Sequence, residues 1–348
     1  MYIGKVHVNT AVPYDVLIGA GLLSQIGVLI GEVVNPNHVM LISDDTVYAL
    51  YGQEAISALQ AAGFTVFTHV IQHGEASKNM MILTEILEAA AEHLLTRKDV
   101  FVALGGGVVG DITGFAASVY MRGVDFGQDP TTLLAAVDAS VGGKTAVDLV
   151  QGKNLAGTFW QPRLVVCDSG IIGNLPTELF NNGMAEVIKH GVIGDKAILE
   201  CINAGLVVKQ LNWLVQRNVE IKRDVVENDE KEAGMRQILN FGHTVAHAIE
   251  KMSDYTIPHG VAVGTGMVHE ARLAARLGLC DDQLADDIWQ YCKTYGLFLL
   301  QEITPAFIDA MRTDKKNVGD DIVFALPSAN GQTVIRKMSI NEVLYRIS

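Results

Sequence analysis

Four residues in the second half of the chain are of the types that bind a transition metal. His243 and His247 stand four residues apart, so a helix would place both imidazoles on one face. His259 follows in the segment IPHG, and Glu186 lies upstream in GMAEVIKHG. One carboxylate and two imidazoles are enough to hold a catalytic Zn²⁺ with open coordination positions. The helical spacing favours His243 with His247, and it leaves open whether His247 or His259 is the third ligand.

A second segment has the pattern of a diphosphate-binding turn. The apolar run 101–104 predicts a buried strand, the glycines 105–107 break it, and an apolar helical pattern begins at Val108. A glycine turn between a strand and a helix lets backbone N–H groups approach a diphosphate, whose charge the helix dipole favours. Together with Gly110 these glycines also satisfy the spacing GxGxxG.

Lysine and arginine residues accompany these motifs. Most lysines in a protein are solvated surface charges, but Lys144 is enclosed by VGGKT and Lys189 follows the apolar run AEVI. Cationic side chains in such places suit the binding of phosphate and carboxylate groups. The segment VGGKT is not a nucleotide P-loop, because the spacing GxxxxGK needs glycine where Asp138 stands. The cationic positions of this kind are Arg122, Lys144, Lys153, Lys189, Lys222, Arg236 and the pair Lys315 and Lys316.

The composition describes a protein with a large core and an acidic net charge. Of the 348 residues 49% are hydrophobic and 19% are charged, which allows two domains and argues against global disorder. The net charge of −13 argues against duplex nucleic acid or an anionic membrane as a partner. The four cysteines are scattered, no signal-peptide pattern follows Met1, and no apolar run is long enough to span a membrane. We therefore expect a cytoplasmic protein.

The elements that must position these residues fall into two regions. In the first region strand-like runs alternate with helical patterns after an N-terminal hairpin, which predicts an α/β domain with a parallel sheet. Residues 177–312 show long helical periodicities, and short strands return near the C-terminus. We expect an α/β domain at 1–172 and an all-α domain at 173–348. The predicted strands are 3–8, 14–18, 39–43, 65–71, 101–104, 164–167, 322–326 and 333–335.

The motifs, taken in order, resemble one enzyme family. GGGVVGD, YMRG, PTTLL, VDASVGGKT, GKN, GMAEVIKHG, LNFGHTVAHAIE and DKK make the chain similar to the 3-dehydroquinate synthase family of sugar-phosphate cyclases, over about residues 40–325. The resemblance implies an N-terminal Rossmann-like NAD-binding domain, a C-terminal helical metal-binding domain and a homodimer. It also implies that Glu186, His243 and His259 hold Zn²⁺ or Co²⁺, while His247 lines the substrate site.

The resemblance assigns further residues to NAD and to a phosphorylated sugar-acid substrate. Asp44 matches the acid at a strand end that binds the adenosine ribose, and Glu75 and Lys78 match a GExxK contact pattern. The implied NAD contacts are Asp44, Glu75, Lys78, Gly106, Gly107, Val108, Asp111, Thr131, Thr132, Leu134, Asp138, Lys144 and Lys153. The implied substrate contacts are Arg122, Lys144, Lys153, Asn154, Lys189, Lys222, Arg236, Asn240 and His247, with Lys315 or Lys316 of the DKK motif.

Three positions depart from the family pattern. Leu179 stands where many relatives carry Glu, because the glutamate of PTEL is Glu178 here. Asp129 precedes PTTLL at a position that is usually apolar, and Asp148 stands where Asn is common. None of these positions is one of the implied metal ligands.

The activity that the resemblance implies belongs to the shikimate pathway. It converts 3-deoxy-D-arabino-heptulosonate 7-phosphate to 3-dehydroquinate and phosphate, through oxidation by NAD⁺, elimination of phosphate, re-reduction and intramolecular aldol closure. One alternative is another sugar-phosphate cyclase, against which Arg236, Asn240 and the DKK motif argue. A second is a metal-dependent polyol dehydrogenase, which would release NADH and would need fewer anion-binding residues. The intact metal and lysine motifs argue against a non-enzymatic NAD-sensing module.

Overall fold

The chain forms two compact units. The computed structural model describes residues 4–35, 37–312, 321–329 and 331–347, so Lys315 and Lys316 lie outside the described residues. One unit comprises Met1–Leu175 and Leu211–Arg223, and the other comprises Pro176–Gln210 and Asp224–Ser348. The division that the sequence predicts after residue 172 lies close to the end of the first segment, whereas the grouping of Leu211–Arg223 with the first unit was not predicted.

The first unit is built on a seven-stranded sheet with the order β1-β2-β9-β6-β5-β3-β4. The strands β1 and β2 form an antiparallel hairpin, and the other pairs are parallel. The strands of this unit are β1 (Gly4–Val8), β2 (Tyr14–Gly19), β3 (His38–Asp44), β4 (Thr65–Ile71), β5 (Val100–Gly105), β6 (Asp125–Pro130), β7 (Lys144–Leu149), β8 (Gly152–Phe159) and β9 (Leu164–Asp168). Its helices are α1 (Ile26–Val33), α2 (Asp45–Val47), α3 (Gln53–Ala61), α4 (Met80–Glu92), α5 (Gly107–Val119) and α6 (Ser169–Gly173).

Helices cover both faces of this sheet. Successive side chains of a strand point to opposite faces. On β3, Met40 and Ile42 pack in the core that includes residues of α4 and α5, while Val39 and Leu41 pack in the core that includes residues of α1 and α3. Burial on both sides explains why the central strands are continuous apolar runs, as is usual in parallel sheets.

The strand order reverses between β3 and β5. From β3 the chain continues to β4 on one side, and it then returns to β5 on the other side. In open parallel sheets ligands bind outside the carboxyl ends of the strands at such a reversal. The strand ends at this place are Asp44 and Gly105.

The hairpin and the other predicted strands of the first unit are confirmed, each within one residue at either end. The strand β6 was not predicted, because its sequence DFGQDP contains Asp, Gly and Pro, which strands generally avoid. The antiparallel pair of β7 and β8 was also missed, since its sequence is rich in glycine and polar residues.

The second unit is mainly helical, which confirms the predicted helical region. The short strands predicted near the C-terminus form one antiparallel hairpin, β10 (Asp321–Pro327) with β11 (Thr333–Ser339). Among the helices of the described residues, none combines the length and the apolarity that a membrane crossing requires. The remaining helices are α7 (Thr177–Ile193), α8 (Lys196–Asn203), α9 (Leu211–Asn228), α10 (His243–Met252), α11 (His259–Arg276), α12 (Asp282–Thr294), α13 (Pro305–Arg312) and α14 (Ile340–Ile347). Of α9, the residues Leu211–Arg223 belong to the first unit.

Candidate active site

Three side chains of the second unit that could together hold a metal ion converge, and we call them the metal-binding group. Glu186 lies within α7, and His243 and His259 are the first residues of α10 and α11. Glu186 Oε1 lies 3.5 Å from His243 Nε2 and 3.3 Å from His259 Nε2. One donor atom of each residue lies within 4.8 Å of the other two.

His247 lies beside this group without belonging to it. Its ring meets the ring of His243 edge-on, with 5.7 Å between the centroids. Within the described residues, the groups of donor atoms close enough to share an ion do not include His247. The geometry therefore groups His259, and not His247, with Glu186 and His243.

Glycines beside the two histidines let the three helices approach one another. Gly242, which precedes His243, has a left-handed backbone with φ +83°, and a Cβ there would lie 2.9 Å from the carbonyl oxygen of Val263 on α11. A Cβ on Gly260 would lie 2.1 Å from the carbonyl oxygen of Asn182 on α7. Because only glycine fits these places, the helix ends come close enough for their donors to meet.

Several ionisable side chains lie close together and buried around Glu186. Burial raises the pKa of the Glu186 carboxyl, but the charges of Lys189 and His243 outweigh it and hold this pKa well below its usual range. Lys189 forms an ion pair with Glu186 Oε2. Burial also opposes a charged His259, but its hydrogen bonds to Glu186 and Glu250 prevail and raise its pKa to about 10. The carboxylates therefore favour a positive charge at this place.

The donor set fits Zn²⁺ or Co²⁺. A carboxylate oxygen and two imidazole nitrogens are ligands that these ions take in catalytic sites. His259 Nδ1 lies 3.2 Å from Glu250 Oε1, and His243 Nδ1 lies 3.1 Å from the carbonyl oxygen of Phe241. Both Nδ1 atoms thus have acceptors, which leaves both Nε2 atoms to face the group.

Two further predicted residues lie just before His243, in the short helical segment Met235–Asn240. Arg236 is 1% exposed, and its Nη1 donates to the carbonyl oxygen of Glu230 at 2.6 Å. Asn240 Nδ2 donates to Glu232 Oε1 at 3.1 Å. A guanidinium whose position is fixed by the backbone is suited to bind a carboxylate or a phosphate.

In the first unit the glycine turn leads from β5 into α5, as its sequence predicts. Gly106 precedes α5 and offers no side chain to cap it, so the first N–H groups of the helix are not covered by a side chain of their own turn. A Cβ on Gly105 would lie 2.6 Å from Val109 Cγ2, and a Cβ on Gly110 would lie 2.6 Å from Gln128 Oε1. A side chain at position 105 would therefore displace Val109, whereas one at position 110 would require only the end of the Gln128 side chain to move. Gly107 and Val108 are the first residues of α5, and the N–H groups at such a helix start can bind an anion.

Asp44 stands at the end of β3, the strand beside β5. Its Oδ1 accepts the backbone N–H of Val47 at 2.9 Å, which fixes the carboxylate at the start of α2. A carboxylate at this strand end is the group that binds ribose hydroxyls in dinucleotide-binding sheets.

Lys78 joins three predicted segments of the first unit. Its Nζ lies 2.5 Å from Asp111 Oδ2 on α5 and 2.5 Å from Asn154 Oδ1 on β8. Burial lowers the pKa of Lys78, but the charge of Asp111 outweighs it and raises this pKa. Lys153 Nζ lies 3.1 Å from Glu75 Oε1. The structure therefore joins Lys78, Asp111 and Asn154 by hydrogen bonds and pairs Lys153 with Glu75, whose charge also raises the pKa of Lys78.

The other predicted residues of the first unit lie on several elements, among them Lys222 on α9. Lys222 Nζ lies 3.0 Å from Asp138 Oδ1. Thr132 Oγ1 accepts the N–H of Ala135 at 3.2 Å and so starts the helical segment that carries Leu134 and Asp138. Thr131 is buried, and its backbone N–H donates to the carbonyl oxygen of Gly105 at 3.0 Å. Lys144 is an exposed first residue of β7, and Arg122 is exposed with φ +67°.

The three departures from the family pattern have different surroundings. Asp148 contacts the network around Lys78 through Asn154. Asp129 is fully buried on β6, and among the described residues neither carboxylate oxygen has a hydrogen-bond partner. Leu179 is half exposed in the first turn of α7.

Sequence reasoning missed two buried glutamates next to the metal-binding group, Glu250 on α10 and Glu270 on α11. Glu250 follows His243 by seven residues, which is about two helical turns. That spacing is the signal that could have found it. No local spacing points to Glu270, because its contacts cross from one helix to the next.

Comparison with known proteins matches both units to one family. A family described as 3-dehydroquinate synthase N-terminal matches residues 68–182, and one described as 3-dehydroquinate synthase C-terminal matches residues 183–317. A similar curated protein is the 3-dehydroquinate synthase of Rippkaea orientalis, which is 40% identical over 96% of this chain and 94% of its own length.

Solved structures show the same fold. A 2-deoxy-scyllo-inosose synthase complexed with carbaglucose-6-phosphate, NAD⁺ and Co²⁺ has a TM-score of 0.88 at 24% identity, over 99% of both chains. A 2-epi-5-epi-valiolone synthase from Streptomyces hygroscopicus subsp. jinggangensis with NAD⁺ and Zn²⁺ bound has a TM-score of 0.87 at 24% identity, over 100% of this chain and 98% of its own. The dehydroquinate synthase-like fold expected from the sequence is thereby confirmed.

Proposed function

Because the chain belongs to the 3-dehydroquinate synthase family, we propose that it converts 3-deoxy-D-arabino-heptulosonate 7-phosphate to 3-dehydroquinate and phosphate. The observation that carries this proposal is the 40% identity to a named 3-dehydroquinate synthase across 96% of the chain. The convergence of Glu186, His243 and His259 supports it, since this chemistry needs a Lewis acid.

We propose that the first unit binds NAD and the second binds Zn²⁺ or Co²⁺. Bound NAD supplies the hydride acceptor and donor, and the bound metal supplies positive charge for a developing alkoxide. Glu186, His243 and His259 hold the metal, while Asp44 holds the adenosine ribose and the turn at Gly106, Gly107 and Val108 holds the diphosphate. The remaining NAD contacts in this proposal are Glu75, Lys78, Asp111, Thr131, Thr132, Leu134, Asp138, Lys144 and Lys153.

The substrate that we propose carries a phosphate and a carboxylate, which matches the cationic residues of the chain. Lysine and arginine hold such groups by charge-assisted hydrogen bonds, and Arg236 can do so bidentately. Holding both anionic ends fixes the reacting carbons in one geometry, which is the main contribution of these side chains to the rate. The proposed substrate contacts are Arg122, Lys144, Lys153, Asn154, Lys189, Lys222, Arg236, Asn240 and His247.

We further propose a homodimer in the cytoplasm. The dimer follows from the family resemblance. A reducing compartment is supported by the cysteines, which are free thiols at Cys167, Cys201, Cys280 and Cys292.

A phosphate-release assay with the heptulosonate, with and without NAD⁺, tests the function. We expect release that depends on NAD⁺, with no accumulation of NADH absorbance, because the same cofactor is reduced and reoxidised in each cycle. Phosphate release from another sugar phosphate, and none from the heptulosonate, would instead assign a different cyclase. Stoichiometric NADH from glycerol or a similar polyol, without phosphate, would assign a dehydrogenase and overturn the proposal.

A further inference from the structure

We propose that Glu250 and Glu270 are positioning residues that cross-brace the two histidines of the metal-binding group and thereby set its metal affinity. The inference rests on the proposed metal site and concerns residues that do not bind the ion themselves. Each glutamate lies on the helix that carries one histidine and makes its hydrogen bonds to the helix that carries the other.

Glu250 acts on the imidazole of His259. It lies on α10, is 4% exposed, and its Oε1 is 3.2 Å from His259 Nδ1. A carboxylate at this distance accepts the Nδ1–H, so that Nε2 is the nitrogen left to bind an ion. His259 Nε2 is the atom that faces Glu186 Oε1, at 3.3 Å. Glu250 therefore turns the correct nitrogen towards the site and raises its basicity.

Glu270 acts on the backbone at the start of α10. It lies on α11, is 0% exposed, and accepts three N–H groups: from Gly242 at 2.7 Å, from Thr244 at 3.1 Å and from Val245 at 3.2 Å. These groups belong to the first turn of α10, where a negative charge also interacts favourably with the helix dipole. Since His243 is the first residue of that turn, Glu270 fixes the position from which its imidazole reaches the group.

Close packing makes this arrangement rigid. A Cβ on Gly266 of α11 would lie 1.9 Å from the carbonyl oxygen of Gly242, so the two helices touch backbone to backbone here. Neither helix can slide without breaking the bonds of one glutamate. The distance between the two Nε2 atoms is thus set before an ion binds, and a preorganised site binds its metal more tightly than a flexible one.

The test compares Zn²⁺ dissociation constants of the full-length protein, measured by competition with a chelating dye. In Glu250→Gln the size is kept and the charge is lost, and we expect the Kd to rise about 10- to 100-fold. Glu270→Gln should raise the Kd less and should also lower the melting temperature of the metal-free protein. Glu200→Gln, an exposed position on α8, serves as the matched control and should leave both values unchanged.

The absorption spectrum of bound Co²⁺ gives a second readout, because its visible bands follow the ligand geometry. We expect altered bands in Glu250→Gln at saturating Co²⁺ and parental bands in Glu200→Gln. If Glu250→Gln does not fold, Glu250→Asp, which keeps the charge on a shorter side chain, should fold with an intermediate Kd. A folded Glu250→Gln or Glu250→Asp with a parental Kd and parental Co²⁺ bands overturns the inference. Failure of the parental protein to bind Zn²⁺ would instead overturn the proposed metal site.

Discussion

Asp148 Oδ1 accepts the backbone N–H of Asn154 at 2.7 Å, across the turn that joins β7 to β8. Asp148 lies at an irregularity in the pairing of these strands, and Asn154 has a left-handed backbone with φ +55°. The side chain of Asn154 in turn accepts from Lys78 Nζ. Asp148 therefore holds two proposed site residues in place.

Removing this acceptor should impair catalysis. In Asp148→Ala the Asn154 N–H loses its partner, and we expect kcat/KM to fall about 2- to 12-fold, which corresponds to the ~0.5–1.5 kcal/mol of a typical intramolecular hydrogen bond. Asp148→Asn keeps an oxygen acceptor and should stay close to the parental value. The measurement is phosphate release as a function of substrate concentration. Equal values for the parent and Asp148→Ala would show that the bond does not support the site.

The roles of the three histidines are separable by metal analysis. His243→Ala and His259→Ala should lose the metal on dialysis, because two protein ligands are too few for a tight site. His247→Ala should turn over more slowly and retain about one ion per chain. Elemental analysis of the dialysed variants decides between these outcomes. If His247→Ala lost the metal and His259→Ala kept it, the ligands would be His243 and His247, the pair that helical spacing alone selects.

Arg236 provides a test of substrate binding. We expect Arg236→Ala to lower kcat/KM by about 2–4 kcal/mol, which is about 30- to 700-fold, because a charged hydrogen bond to the substrate is lost. The Kd for NAD⁺, measured by calorimetry, should change much less. Arg272→Ala, an exposed position on α11, is the control. Since Arg236 is buried, the melting temperature must be recorded, and an unchanged kcat/KM in folded Arg236→Ala would exclude it from the site.

Asp129 should make the stability of the protein depend on pH. Its burial, together with the charge of Asp168, raises the pKa of its carboxyl well above the usual value of 3.8. The folded state therefore keeps a proton that the unfolded chain loses above pH 3.8. The contribution of this group to stability is complete below that pH and is lost as the pH rises through the folded-state pKa.

Asp129→Asn removes this titration without changing the size of the side chain. The melting temperature of the parent should fall relative to that of Asp129→Asn as the pH rises from 4 to 8. The difference in melting temperature between the two proteins should change steadily until the pH exceeds the folded-state pKa of Asp129, and should then stay constant. Thermal unfolding across this range measures it. Parallel curves for the two proteins would contradict a raised pKa at Asp129.

The fold was predictable where local patterns decide the structure. Apolar runs and glycine turns located β3, β4, β5 and β9, and helical periodicity located the second unit. The strand β6 was not predictable from its own residues. Its position in the sheet comes from parallel pairing with β5 on one side and β9 on the other. Asp129 lies buried at a position where an apolar side chain is expected from the pattern of a buried strand.

The site was predictable in its residue types but not in its arrangement. Helical spacing brings His247 next to His243, yet the third donor of the group is His259, which starts a different helix. The approach of α7, α10 and α11 depends on backbone contacts at Gly242 and Gly260, and no local periodicity records such contacts. Glu270 was missed for the same reason, whereas the seven-residue spacing from His243 could have indicated Glu250.

The donors of the metal-binding group come from distant parts of the chain: α8 and α9 separate Glu186 from His243, and a loop separates α10 from His259. A bound ion would therefore close two loops of the unfolded chain at once, as a pair of disulfides would in an oxidising compartment. The resistance of the helical unit to heat and to proteases would then follow the free metal concentration, since an ion that binds only the folded chain stabilises it by mass action. Starvation for the ion would reduce the amount of intact protein in the cell as well as its activity.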